Sequence, residues 1–369
     1  MTELWALTPL RRPQLAAALF QASAVNLPAR VTGDWFPSEE RDLATVVATM
    51  SNVCGQTLFS LLPPLLVRTP AQLGRILLVQ LPPGALVTAA AWAFLAERPP
   101  SPPSASAEQQ WREAAAAASS AKGNNALATL LHDVRQLLSN GNFACLAAGF
   151  AVGTGTVWAL LILENQLITP CGYNDAVAGA AGAALLATGV VAAFGIGAVM
   201  EATKAYLQLQ RGVMTAAVVT TACVLAAARP GNAPLLIAAF CTLGSALQPL
   251  NPLTLEHASE MTFPLSPEVS SSVLYMIANT FAFALVYVLT PLLAMPASAQ
   301  CTTIFTPAAA TILACMAVGL AFTFAVQKDY RRSACERREA RPDSPESPLL
   351  PRPRGDDGAY GTAAAAHGA

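Results

Sequence analysis

Nine runs of about 20 predominantly apolar residues fill most of the chain. They fall at 14–32, 43–67, 74–96, 142–163, 176–199, 212–229, 233–254, 269–293 and 303–326. An α-helix rises 1.5 Å per residue, so a run of about 20 residues matches the hydrocarbon thickness of a bilayer. In lipid every backbone polar group needs an internal partner, which leaves only helices and closed barrels as spanning structures. A barrel strand needs about 10 residues of alternating polarity. These runs are longer, rich in Ala, Leu and Gly, and do not alternate, so the chain is predicted to be an all-α polytopic membrane protein. Its charged fraction of 12% is about half that of a soluble domain, roughly 25%.

The placement of basic residues orients the bundle. With the loop at 30–42 on the inner side and the spans alternating, sixteen Lys and Arg fall inside. Only Arg11, Arg12, Arg68, Arg75 and Arg229 fall outside. The positive-inside rule then puts the carboxyl end in the cytosol. Nine spans ending inside place residue 1 outside without a leader of the signal-peptide type, so a preceding segment is expected. No basic run occurs before the tail, which argues against nucleic acid. Eight cysteines without a CxxC pair and three histidines offer no metal-ligand spacing, and no cofactor is implied. Cys171 and Cys301 share the predicted outer side, where a disulfide is conceivable. Ordinary small residues at helix ends are the favoured reading.

Four segments follow. Residues 1–96 carry three spans. Residues 97–140 begin "ERPPSPPSASAEQQWREAAAAA" and form a polar, then helix-prone, cytoplasmic linker. Residues 141–327 carry six spans, the size of one half of a twelve-helix transporter. Residues 328–369 compose a polar tail predicted to be disordered.

Three sequence blocks carry a family resemblance. The first, "LPARVTGDWFPSEERDLATVVATMSNVCG", holds Pro28, Arg30, Trp35, Phe36, Asn52 and Gly55. The second, "GIGAVMEATKAY", holds Gly197, Glu201, Thr203, Lys204 and Tyr206. The third, "LEHASEMTFPLSPEVSSSVLYMIAN", holds Glu256, Glu260, Phe263, Pro264, Glu268, Ser272 and Asn279. In order and spacing they resemble solute carrier family 49 of the major facilitator superfamily, which includes the feline leukaemia virus subgroup C receptor-related proteins. The resemblance implies that the nine spans correspond to helices four to twelve of a twelve-helix bundle. It also implies alternating-access transport of a small organic solute: a choline- or ethanolamine-like amine, with haem less favoured.

Candidate site residues divide in two. Glu201, Thr203 and Lys204 stand at a cytoplasmic helix end, where a carboxylate can accept hydrogen bonds from a neighbouring helix N-terminus and hold an inward gate shut. A solvated loop charge is an equal reading from sequence, and the resemblance favours the gate. Asp34 and Arg41 join as weaker gate candidates, and Glu39 and Glu40 read as surface charges. Within the spans, Asn52, Trp158, Gln166, Tyr275 and Asn279 are candidate solute contacts, since polar groups in a bilayer are costly. For any single amide, hydrogen bonding between helices is the commoner role. No charged residue falls mid-span in this reading. An aromatic and amide cavity suits a cationic amine held by cation–π contact. Pro249 and Pro252 are expected to kink one span.

The sequence thus predicts a monomeric multi-pass transporter, not an enzyme, of the plasma or endolysosomal membrane. Its partners are a small-molecule solute and the lipid bilayer. The alternative is a truncated facilitator-like protein that does not transport and acts as an interaction partner.

Overall fold

The computed structural model describes residues 25–66, 73–94, 96, 98–120, 126–294 and 306–339. Among them the regular structure is helical, with no strand. Helix α1 covers 25–35, followed by α2 (Arg41–Leu66), α3 (Leu73–Phe94), α4 (Ala105–Ser120) and α5 (Ala126–Ser139). Then come α6 (Gly141–Ile168), α7 (Asp175–Thr203), α8 (Tyr206–Ala227), α9 (Ala233–Leu247), α10 (Leu250–Thr262), α11 (Pro267–Leu293), α12 (Pro307–Ala325) and α13 (Arg331–Glu339).

Six spans among the described residues are long and apolar enough to cross a membrane: α6, α7, α8, α9 with α10, α11 and α12. Short polar side chains start several of them by accepting the free N–H groups of the first turn. Asn140 accepts from Asn142 and Phe143, Asn174 from Val177, Asn232 from Leu235, and Thr306 from Ala309. Those residues close the ends of otherwise featureless apolar runs.

Helix α6 is the central rod, with 78% of its apolar window buried against 33% for α7 and for α12. Small residues let its neighbours approach. A Cβ on Gly155 would lie 2.7 Å from Phe281 of α11, and one on Gly149 would lie 2.6 Å from the Thr323 hydroxyl of α12. Where α7 crosses α9, a Cβ on Gly244 would overlap the Leu185 carbonyl. The amino-terminal part joins through α2, whose Val46 packs on Gly197 of α7. Helix α3 carries little of the core, with Trp92 93% and Phe94 87% exposed.

Several span limits differ from the sequence reading, and two of the differences bring charge into a span. Helix α6 runs to Ile168 rather than 163, which puts Glu164 within the span and corrects the expectation of spans free of charge. The span starting at Ala233 continues to Thr262, broken at Gln248–Pro249 where Pro lacks the N–H a helix needs. Its extension carries Glu256, His257 and Glu260, all buried in protein rather than turned to lipid. Arg331–Glu339, inside the tail that composition marks as disordered, is helical, because it has buried partners described below. Cys171 is disulfide-bonded rather than an ordinary free thiol; Cys301 lies outside the described residues.

Candidate functional site

At the end of the bundle that carries α13, buried charges from four parts of the chain meet. Asp42, in the first turn of α2, is 1% exposed. It accepts hydrogen bonds from Lys204 Nζ at 2.7 Å and from the Tyr206 hydroxyl at 3.2 Å. Lys204 reaches it because its backbone takes a left-handed conformation, φ 50°, which ends α7 and turns the side chain toward α2. Lys204 Nζ also donates to the Ser38 carbonyl at 3.0 Å. The Leu43 backbone N–H donates to Glu201 Oε2 at 3.2 Å, so a carboxylate of α7 sits on the positive end of α2.

Beneath this contact, Thr45 of α2 donates to Glu256 of α10, and Arg332 of α13 lies 3.9 Å from the other Glu256 oxygen. Arg332 is 1% exposed; burial, then the nearby Arg41, lowers its pKa from the ordinary guanidinium value. Arg41 is also buried, pairing with Glu336 of α13 at 3.1 Å and donating to the Ser104 hydroxyl at 2.8 Å. Glu336 further accepts from Ser106 of α4 at 2.8 Å. Glu260 accepts from the Ser333 N–H and hydroxyl, at 3.0 and 2.8 Å. Helix α13 is therefore a bolt across α2, α4 and α10. At the edge of the lattice Asp34 accepts from Trp111 Nε1 at 2.8 Å and lies 3.7 Å from Arg30.

Above the lattice lies a cavity of about 1510 Å³ lined by α1, α2, α6, α7, α9, α10 and α11. Trp158 and Tyr275 line it with nearly parallel rings, centroids 6.3 Å apart at 14°. The Tyr275 hydroxyl donates to Asn251 Oδ1 at 2.7 Å. Asn52 and Asn279 line the same space. Asn52 accepts from Gln56 at 2.6 Å, and Asn279 donates to the Tyr275 carbonyl at 2.9 Å. Among the described lining residues only Glu268 is charged, and it pairs with Arg30 at 3.3 Å.

The cavity thus unites Asn52, Trp158, Tyr275 and Asn279, while Gln166 lies on an exposed face away from it. At the other end Asp34, Arg41, Glu201 and Lys204 all make contacts across elements. Thr203 does not: its hydroxyl donates only within its own helix, to Val199 at 2.7 Å. Sequence reasoning passed over Asp42, Arg332 and Glu336 because charge beside a membrane is ordinarily solvated. For Arg332 and Glu336 the available signal was a helix-prone polar segment after the last span that carries charges of both signs; Asp42 had none.

The family description Major Facilitator Superfamily matches residues 14–291. The chain is similar to Solute carrier family 49 member A3 of Danio rerio, 26% identical over 263 residues, 71% of this chain and 52% of that protein. It is equally similar to the Xenopus tropicalis protein of that name, 26% over 265 residues, with 71% and 52% covered. It also matches Choline/ethanolamine transporter FLVCR1 of Felis catus, 26% over 335 residues, 86% of this chain and 56% of that one. The chain spans about half the length of the curated relatives it matches. The motif resemblance to solute carrier family 49 is matched by these relatives, and with well over half of its residues covered by the family description the chain belongs to the Major Facilitator Superfamily.

Proposed function

We propose that the protein carries a small organic amine, of the choline or ethanolamine type, across a plasma or endolysosomal membrane by alternating access. The observation that carries this reading is the Trp158–Tyr275 aromatic pair facing a cavity bordered by Asn52, Asn251 and Asn279. An aromatic face attracts a cation by about 0.5–2 kcal/mol, more when water is excluded. Amide dipoles suit a hydroxyl or primary amine without fixing an ion. The similarity to a choline/ethanolamine transporter supports the same class.

In this reading the α13 end is cytosolic, in line with the distribution of basic residues, and the buried lattice is the inner gate in its closed state. Residues 1–96 contribute to one half of the carrier and 141–327 form the other. Residues 97–140 lie on the cytosolic face as their connection, and the working unit is a monomer. Opening requires that Lys204 leave Asp42, Glu201 leave the α2 N-terminus, and α13 leave Arg41, Glu256 and Glu260. Labelled choline binding and uptake in proteoliposomes tests the site. Trp158→Ala and Asn279→Ala are each expected to weaken choline binding; unchanged binding in both would remove these residues from the site and the reading with them.

A further inference from the structure

One half-buried acid takes no part in the gate or the aromatic cavity. Glu164 lies in α6 within an otherwise apolar span. Its Oε2 is buried without a hydrogen-bond partner, and none of the ion pairs among the described residues includes it. The carboxylate rests on bare backbone of α7: a Cβ placed on Gly182 would lie 2.6 and 2.8 Å from its two oxygens. A glycine there is what gives the acid room. An acid inside a membrane protein is costly to keep and ordinarily marks a site.

Two helices agree on where it stands. On α6 the residues Val157 and Leu161 line the cavity. Seven residues turn a helix through nearly two full turns, so Glu164 falls within about 20° of Val157 and about 10 Å further along the axis. On α7 Leu186 lines the cavity, and Gly182 precedes it by four residues, one turn further in the same direction. Glu164 therefore lies beyond the lining residues, in line with Val157 and on the side away from the α13 lattice. We infer that Glu164 is a docking point for the cationic headgroup of the substrate, the charge that makes the cavity prefer cations to neutral solutes of the same shape. This rests on the amine reading above. The aromatic pair holds the headgroup; Glu164, half-buried, offers it a carboxylate on the approach from the side away from the lattice.

The test is a binding measurement on the purified chain in nanodiscs with two probes, choline and its neutral isostere 3,3-dimethylbutan-1-ol. The wild type is expected to bind choline more tightly. A charge pair about 6–12 Å apart at an effective dielectric near 20 predicts that Glu164→Gln weakens choline on the order of tenfold to a hundredfold, with the isostere unaffected and Glu164→Asp restoring part of the preference. A thermal melt within a few degrees of wild type accompanies that result. Equal losses for both probes, or none for choline, would overturn the role of Glu164 while leaving the amine reading intact. A wild type that does not prefer choline to its isostere would overturn both.

Discussion

At the scale of single residues, the proposed gate rests on Asp42. It is the buried member of its pair, with a side chain 2% exposed against 36% for Lys204, so removing the lysine strands a desolvated carboxylate. Breaking such a pair costs about 3–5 kcal/mol. Lys204→Met should fall near the lower figure, because the Tyr206 hydroxyl still donates to Asp42. The expected outcome is faster hydrogen exchange at the α2 amino end, read by mass spectrometry. Thr203 is the contrast. It was a gate candidate from its motif alone, yet its hydroxyl makes only local contacts, donating to Val199 and accepting from the Ala205 N–H, so Thr203→Ala should change stability by no more than about 0.5 kcal/mol. In the cavity, loss of the Trp158 face should remove about 2 kcal/mol of cation–π attraction. Trp158→Ala then binds choline about 30-fold more weakly in a radioligand assay. Glu201 was readable as a carboxylate awaiting a helix N-terminus; Asp42 was not, because nothing local distinguishes a buried acid from the solvated Glu39 and Glu40 nearby.

At the scale of elements, apolar length was enough to place most of α6 to α12, and the errors sit where apolar length is the wrong measure. Helices α9 and α10 form one span that outruns its apolar run because Glu256 and Glu260 find partners on α2 and α13. Helix α13 was invisible for the same reason: its stability comes from tertiary contacts, not from composition. Removing residues 329–369 takes away Arg332, Ser333 and Glu336 together, leaving Arg41, Glu256 and Glu260 buried with fewer partners. That truncation should lower the melting temperature in detergent and speed proteolysis near α4; an unchanged melt would mean that α13 bears no load. The α7–α9 crossing makes a separate prediction. A methyl at Gly244 meets the Leu185 carbonyl, and overpacking of this kind costs about 1–3 kcal/mol. Gly244→Ala should therefore melt below wild type while keeping its choline affinity, since Gly244 does not line the cavity.

At the scale of the whole molecule, the two ends of the bundle differ in kind. One is bolted by ionic contacts that draw on α2, α4, α7, α10 and α13. Beyond it, the cavity presents aromatic rings and amides among apolar helices. A carrier needs both features, because closure that depends on charge pairs can be undone without dismantling the apolar packing. A facilitator-like protein that only binds partners needs neither to move. The most direct discrimination is counterflow. Proteoliposomes holding the full chain are loaded with unlabelled choline and diluted into a trace of labelled choline. Alternating access predicts transient accumulation of label above the outside level, reduced in Trp158→Ala. Label that never exceeds the level in protein-free vesicles, although the protein binds choline, would contradict transport and leave the chain a binding protein.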